Sequence, residues 1–190
     1  MIVLLHKPYG TLCQFSPEGT RQTLADVLDI PGIYPAGRLD HDSEGLLVLT
    51  DEPWFAHRLT HPDHGHAKVY HAQVEGMPGP DAVSAFSRGI LLQERLTRPA
   101  GLKHLEPPPD WPERTVPIRF RKSIPTAWVE VILREGRNRQ VRKMLAAVGH
   151  PCLRLIRVEV AGLSLGPLGP GQHRRLDRGE VRALRQRLAE

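Results

Sequence analysis

The sequence predicts an α+β fold with a mixed, mainly antiparallel sheet and flanking helices. Short apolar stretches alternate with turn residues along most of the 190-residue chain, and only a few segments have the period of a helix. Strand and helix patterns also mix without the regular strand–helix–strand order of a parallel sheet. This length allows one domain with its own hydrophobic core, and we expect a single domain over residues 1–190.

The first half of the chain alternates apolar strands with short helical segments. The run Ile2–Leu5 ends at the turn signal Lys7-Pro8-Tyr9-Gly10. Strands are predicted at Ile2–Leu5, Gly45–Thr50 and Lys68–Val74, and helical segments at Thr23–Leu28, Trp54–Leu59 and Pro80–Arg88.

The second half begins with a proline-rich segment, Pro107–Pro117, whose five prolines predict a loop or linker. Strands are predicted at Trp128–Arg134 and Leu153–Val160. Between them, Asn138 is the expected N-cap of a helix that stops at Gly149 and carries its apolar face on Val141, Met144, Leu145 and Val148. A capping-box pattern at Asp177–Glu180 predicts a final helix over about 178–189.

The charges are distributed unevenly. The net charge of +5 combines −5 in residues 1–66 with +10 in residues 67–190. Seven Lys/Arg and one acid, Glu135, lie between Arg134 and Arg157. Such a block indicates either a polyanion partner or an ordinary solvated basic face.

Cysteine usage and the N-terminus indicate a cytoplasmic protein. Cys13 and Cys152 lie far apart, which argues against a disulfide framework or a Cys-based zinc site. The first residues lack the pattern of a signal peptide, and no apolar run is long enough to cross a membrane. We therefore expect no membrane association.

The densest cluster of acids lies between Gly37 and Asp51. Asp40, Asp42 and Glu44 alternate just before a predicted strand. Their spacing partly matches an EF-hand calcium loop, but the flanking helices are missing and position 12 is an Asp. A carboxylate pair for glycoside hydrolysis and acids that cap a turn remain alternatives.

Five histidines, at positions 57, 61, 64, 66 and 71, raise the question of a zinc site. Their spacing is irregular, and Pro62 interrupts any helix that would align them. Surface histidines are the preferred interpretation, and no metal is expected.

Four motifs suggest a family. Lys7-Pro8-Tyr9-Gly10 and Ala36-Gly37-Arg38-Leu39-Asp40-x-x-Ser43-x-Gly45-Leu46-Leu47 resemble the first two motifs of the RsuA-like RNA pseudouridine synthases. Lys68-Val69-Tyr70 with Val74 resembles the next motif, and the segment 135–144 (EGRNRQVRKM) resembles the third catalytic motif. The four occur in family order over nearly the whole chain.

The chain looks most like the large-subunit synthase E group within that family. We expect it to start at the catalytic domain, without the S4 RNA-binding domain of many relatives, and the segment 119–128 (RFRKSIPTAW) is also similar. His41 stands where an Arg is expected, which puts one RNA contact in doubt.

The resemblance implies a pseudouridine synthase fold with a central catalytic cleft and a cofactor-free isomerisation of uridine. It places Asp40 as the catalytic carboxylate, with attack at C1′, addition at C6 and proton abstraction as open roles. Arg142 would offset the desolvation of that carboxylate. Tyr70 would lie against the uracil.

The resemblance also implies an RNA partner, 23S rRNA or a large-subunit assembly intermediate, bound by a monomer. Arg38 is a candidate to brace the flipped nucleotide. Arg137, Asn138, Arg139 and Lys143 are candidates for the RNA backbone, because they lie where a helix is expected to begin. The proline-rich loop and Arg119–Lys122 are candidate target readers, with a solvated linker as the alternative for the loop. A catalytically silent RNA-binding factor and a metal-dependent nuclease are the rival functions.

Overall fold

The computed structural model describes residues 1–118, 121 and 123–189. These residues form eleven strands, four α-helices and two 3₁₀ turns (Leu24–Asp26 and Pro62–His64). In chain order the strands and helices are β1 (Ile2–Lys7), β2 (Tyr34–Pro35), β3 (Glu44–Thr50), α1 (Pro53–Thr60), β4 (Lys68–Glu75), α2 (Pro80–Arg88), β5 (Leu91–Leu92), β6 (Arg95–Leu96), β7 (Gly101–His104), β8 (Thr126–Leu133), α3 (Gln140–Ala147), β9 (Cys152–Val160), β10 (Leu163–Ser164), β11 (His173–Arg175) and α4 (Arg178–Ala189).

The chain divides into two compact units. Unit 1 comprises Met1–Gly65 together with Leu163–Glu190, and unit 2 comprises His66–Gly162. The expectation of one domain over the whole chain stays a prediction, and the units are described separately.

Unit 1 is organised around β1. This strand pairs antiparallel with β3 on one side and with β11 on the other, and β2 pairs antiparallel with β3. Every residue of β1 and β3 is buried. These near-continuous apolar runs are typical of strands without a solvent-facing side.

The helices of unit 1 follow their sequence signals. Pro53 is the first residue of α1, where its missing N–H costs no hydrogen bond, and Phe55 and Leu59 are the buried residues of this helix. At the start of α4, Glu180 N–H donates to Asp177 Oδ1 at 2.8 Å and Asp177 N–H donates to Glu180 Oε2 at 2.9 Å. This reciprocal pair confirms the predicted capping box.

Unit 2 contains a four-stranded antiparallel sheet in the order β9-β4-β8-β7. The β4–β9 register shifts between Val69 and Tyr70 and again between Gln73 and Val74. Each shift adds one residue to β9, which bends the strand locally and re-aims its side chains. A separate hairpin, β5–β6, precedes β7.

The α+β prediction is confirmed, with two local corrections. Thr23–Leu28 forms only a 3₁₀ turn over Leu24–Asp26, in which Asp26 accepts the Thr23 N–H at 2.7 Å as a capping box. Asn138 is not the N-cap of α3. Arg139 occupies that position in a left-handed conformation, without a side-chain cap.

No helix among residues 1–118, 121 and 123–189 combines the length and apolar character needed to span a bilayer.

Candidate active site

Asp40 lies in unit 1 at a hydrogen-bonded turn just before β3. Ser43 N–H donates to the Asp40 carbonyl at 3.0 Å, which closes a turn over residues 40–43. Gly10 N–H donates to the His41 carbonyl at 2.9 Å, so the first motif is tied to this turn. Asp40 is half-buried, whereas Glu44 at the start of β3 is buried. The hydrogen-bonded turn therefore holds the partly accessible carboxylate of Asp40 on a fixed backbone, with Asp42 half-buried beside it.

Lys7, the first residue of the Lys-Pro-Tyr-Gly turn signal, lies buried near these acids at the end of β1. Its side chain has no exposed surface, and its Nζ donates to the carbonyls of Thr11 at 2.7 Å and Pro8 at 2.9 Å. Burial lowers the pKa of Lys7 to about 8, and Cys13, Glu44, Asp42 and Asp40 oppose that shift. At neutral pH an ammonium group thus lies buried within the acidic segment.

Two backbone features fix the segment that precedes Asp40. Gly37 has a φ of +82°, and a Cβ added there would lie 3.3 Å from Thr60 Cγ2, so only glycine adopts this conformation without strain. Leu39 N–H donates to Cys13 Sγ at 3.3 Å. Arg38 between them is exposed and forms no ion pair within the described part of the chain. Its guanidinium is therefore not engaged by Asp40.

The calcium interpretation is wrong in its geometry. Seven of the twelve loop positions, Glu44–Thr50, lie in the buried strand β3 and cannot wrap around an ion. The rings of His57, His61 and His64 do cluster in unit 1, with centroids 4.8–6.1 Å apart. Across the described ranges, however, no group of three or more His, Cys, Asp or Glu is placed to hold a metal ion.

Tyr70 lies in unit 2, in the central strand β4. It pairs with Val131 of β8 and with Arg157 of β9, next to the first register shift. The residue is 9% exposed, and its hydroxyl has no hydrogen bond to any residue in the described ranges. Arg157 is buried as well. Burial and, to a lesser extent, nearby Arg157 lower the pKa of Lys68 at this end of β4, while Glu135 opposes that shift.

Arg142 lies in α3 of unit 2 and is half-buried. Its Nη1 donates to the Cys152 carbonyl at 3.2 Å. The apolar face of the same helix is confirmed for Val141, Met144 and Leu145, which are all buried. Val148 instead follows the helix as its C-cap and is half-buried.

Arg137 has a structural role that its position in the sequence did not reveal. Its guanidinium donates to the carbonyls of Arg95 at 3.1 Å and Leu96 at 2.6 Å, and its Nε lies 3.3 Å from Glu135 Oε2. These contacts fasten the β5–β6 hairpin to the start of α3. Asn138 and Arg139 are exposed, and Lys143 is half-buried.

The proline-rich loop is docked rather than a free linker. Trp111 Nε1–H donates to His71 Nδ1 at 3.2 Å, and Arg154 Nη2 donates to the Pro112 carbonyl at 2.8 Å. Burial lowers the pKa of His71, which favours the neutral ring that this hydrogen bond requires. Of the adjacent basic segment, Arg119 and Lys122 lie outside the described residues. Arg121 Nε lies 3.5 Å from Glu75 Oε1.

Comparison with known proteins identifies the family. Residues 1–147 match the family model described as RNA pseudouridylate synthase. The chain belongs to this family. The predicted RsuA-like relationship and the predicted enzyme class are thereby confirmed: this pseudouridine synthase isomerises uridine to pseudouridine in RNA.

Two relatives show which group within the family this synthase resembles. It is 53% identical over 188 residues to a Xanthomonas campestris pv. campestris protein named ribosomal large subunit pseudouridine synthase E, covering 97% of this chain and 100% of the relative. It is 45% identical over 171 residues to a Vibrio vulnificus protein of the same name, covering 90% of this chain and 73% of the relative. The resemblance to the E group is confirmed.

A solved structure supports the fold directly. A structure titled "Crystal structure of pseudouridylate synthase" matches with a TM-score of 0.80 at 29% identity, over 96% of this chain and 73% of that one. The predicted pseudouridine synthase fold is confirmed.

Proposed function

We propose that this synthase modifies a uridine in 23S rRNA of the large ribosomal subunit, with Asp40 as its essential carboxylate. Support for the substrate comes from the relative that is 53% identical over its full length, whose name specifies the large subunit. The observation that carries the proposal for Asp40 is its setting: a half-buried carboxylate on a hydrogen-bonded turn within the family's Gly-Arg-Leu-Asp motif.

The reaction makes limited chemical demands. The C1′–N1 bond breaks, the uracil turns, C5 joins C1′, C5 gives up its proton and N1 gains one. No oxidant or reductant is consumed. A carboxylate and groups that hold the detached uracil are therefore the chemistry that this chain must supply.

Tyr70 and Arg142 are proposed to complete the catalytic set. Tyr70 is a nearly buried phenol whose hydroxyl has no hydrogen bond within the described residues, so it offers an apolar surface to uracil and a hydroxyl for the site of proton transfer. Arg142 keeps its charge on burial, and the Cys152 carbonyl holds one of its nitrogens in place. We assign Tyr70 to uracil contact and Arg142 to keeping the catalytic carboxylate ionised.

The RNA contacts are proposed for Arg38, Arg137, Asn138, Arg139 and Lys143. Arg38 is exposed and forms no ion pair within the described ranges, so it suits bracing of an extruded nucleotide. The role of Arg137 is chiefly to hold the hairpin that borders the contact surface.

We further propose a monomer that acts in the cytoplasm on 23S rRNA or on an assembling particle.

Asp40→Asn is the decisive variant, and Asp42→Asn is its matched control two residues away. We expect Asp40→Asn to lower the rate of pseudouridine formation by at least about 10³-fold, because a charged group in the reaction is lost. RNA affinity should stay within a few-fold. Asp42→Asn should keep most of its activity. An active Asp40→Ala protein would refute the assignment of Asp40.

Arg142→Gln should lose more activity than Arg142→Lys, because only the lysine variant keeps a positive charge at this position.

Pseudouridine mapping of 23S rRNA, with and without the protein, tests the substrate. Loss of one modified site in its absence is the expected result. Unchanged rRNA together with a lost tRNA site would redirect the substrate to tRNA. If the protein were a catalytically silent RNA-binding factor, every pseudouridine would still be formed in its absence. A metal-dependent nuclease would lose its activity in EDTA, whereas this synthase should keep full activity in EDTA.

A further inference from the structure

We propose that unit 2 contains a pocket for one phosphodiester of the substrate RNA, built by the β5–β6 hairpin and the start of α3. This inference rests on the proposed function, which supplies the RNA. The pocket measures about 220 Å³, and its lining residues are Leu92, Gln93, Arg95, Arg137, Asn138 and Lys143. Three of the six are cations, two are amides and none is acidic.

An ion pair and several hydrogen bonds hold the residues that line this pocket in place. Glu135 pairs with Arg137, accepts the Arg98 N–H at 2.9 Å and also accepts a hydrogen bond from the Gln140 side chain. Arg137 in turn holds two hairpin carbonyls. The guanidinium of Arg137 is therefore largely occupied by Glu135 and the hairpin carbonyls, and these contacts hold the shape of the pocket without a ligand.

Two cations remain for a ligand. Within the described part of the chain, neither the Lys143 ammonium nor the Arg95 guanidinium has an ion pair or a side-chain hydrogen bond. Glu94 lies at the hairpin turn and Glu135 pairs with Arg137, but neither acid lines the pocket. An anion entering between Lys143 and Arg95 would meet two uncompensated charges and the amides of Gln93 and Asn138.

Size and polarity narrow the class of ligand. The volume is below the roughly 300–1,000 Å³ of sites for drug-sized ligands, so it suits a phosphate with its ribose. Leu92 lines one side, and Leu91 and Leu96 expose 67% and 59% of their surfaces on the same hairpin. These apolar side chains match the sugar flanking a phosphate better than they match a free inorganic ion.

The double variant Arg95→Gln with Lys143→Gln tests the pocket, and Arg88→Gln, an exposed arginine outside it, is the matched control. The dissociation constant for a 23S rRNA fragment is measured from 50 to 500 mM KCl by filter binding. Each phosphate contact contributes about 0.7–0.9 to the slope of log affinity against log salt. We expect the double variant to lose about one unit of slope, so its loss of affinity relative to the wild type should be about tenfold larger at 50 mM than at 500 mM KCl. Arg88→Gln should keep the wild-type slope.

Leu92→Phe separates a phosphate held in the pocket from cations that only attract RNA at long range. It narrows the pocket and leaves both charges in place, so binding should weaken several-fold. Wild-type binding by Leu92→Phe, or an unchanged slope in the double variant, would overturn the pocket. A pocket-dependent slope for a 23S rRNA fragment in which the protein forms no pseudouridine would instead refute the proposed 23S substrate, so the two failures are distinguishable.

Discussion

Replacing Lys7 with methionine should change how the stability of this protein depends on pH. Burial lowers the pKa of Lys7 to about 8, against an ordinary value of 10.5. Between these two values the unfolded chain binds a proton that the folded protein has released. Stability from this group therefore rises as pH increases from about 8 to 10.5, and it is lost again as pH falls through 8.

The magnitude follows from the pKa difference. The two pKa values differ by about 2.5, which at about 1.4 kcal/mol per pKa unit gives about 3.5 kcal/mol. About 3 kcal/mol of this falls between pH 7 and 10.5, because the unfolded lysine is only half deprotonated at pH 10.5. This value applies without a discount for solvent screening because the Lys7 side chain is fully buried. Lys7→Met removes the titration, while the other groups titrate in both proteins.

Urea unfolding at pH 7, 8, 9, 10 and 10.5 measures the effect. The free energy of unfolding of the wild type minus that of Lys7→Met should increase by about 3 kcal/mol over this range. Lys103→Met is the control, since Lys103 is exposed and pairs with Glu130 at 3.0 Å. Its difference from wild type should stay nearly flat. A flat difference for Lys7→Met as well would refute the lowered pKa.

Two further substitutions test backbone conformations. Gly37→Ala should lower the free energy of unfolding by about 1–2 kcal/mol in urea, because φ is +82° and the new methyl group would crowd Thr60; wild-type stability would contradict this strain. Glu94→Gly should raise the free energy of unfolding by about 0.5–1 kcal/mol, because Glu94 has a φ of 62° in the hairpin turn. Glu94→Ala keeps the strain and should not stabilise, so equal gains from both substitutions would rule out the conformational explanation.

Sequence patterns predicted the elements whose signals are local. Continuous apolar runs gave β1 and β3, and the reciprocal acids at Asp177 and Glu180 gave the start of α4. The turn carrying Asp40 was located from its motif. Each of these signals lies within a few residues of the structure that it specifies.

Features that depend on tertiary contacts were missed. The β5–β6 hairpin turns at Gln93 and Glu94 instead of the Asn-Gly pair that favours such turns, so its sequence gave no signal. Asn138 has the best intrinsic preference for an N-cap, but Gln140 Oε1 accepts the Arg137 N–H at 2.9 Å and places the helix start one residue later. Burial of Lys7 likewise depends on chain segments that pack around it.

The Arg137 clamp has a consequence for how this enzyme could acquire new targets. Its guanidinium holds the main-chain carbonyls of residues 95 and 96, which every amino acid possesses. The hairpin can therefore exchange its side chains and remain attached to α3 in the same position. Substitutions on the proposed RNA surface of the hairpin therefore need not change the scaffold, and hairpin sequences could be exchanged between relatives without rebuilding the helix that holds them.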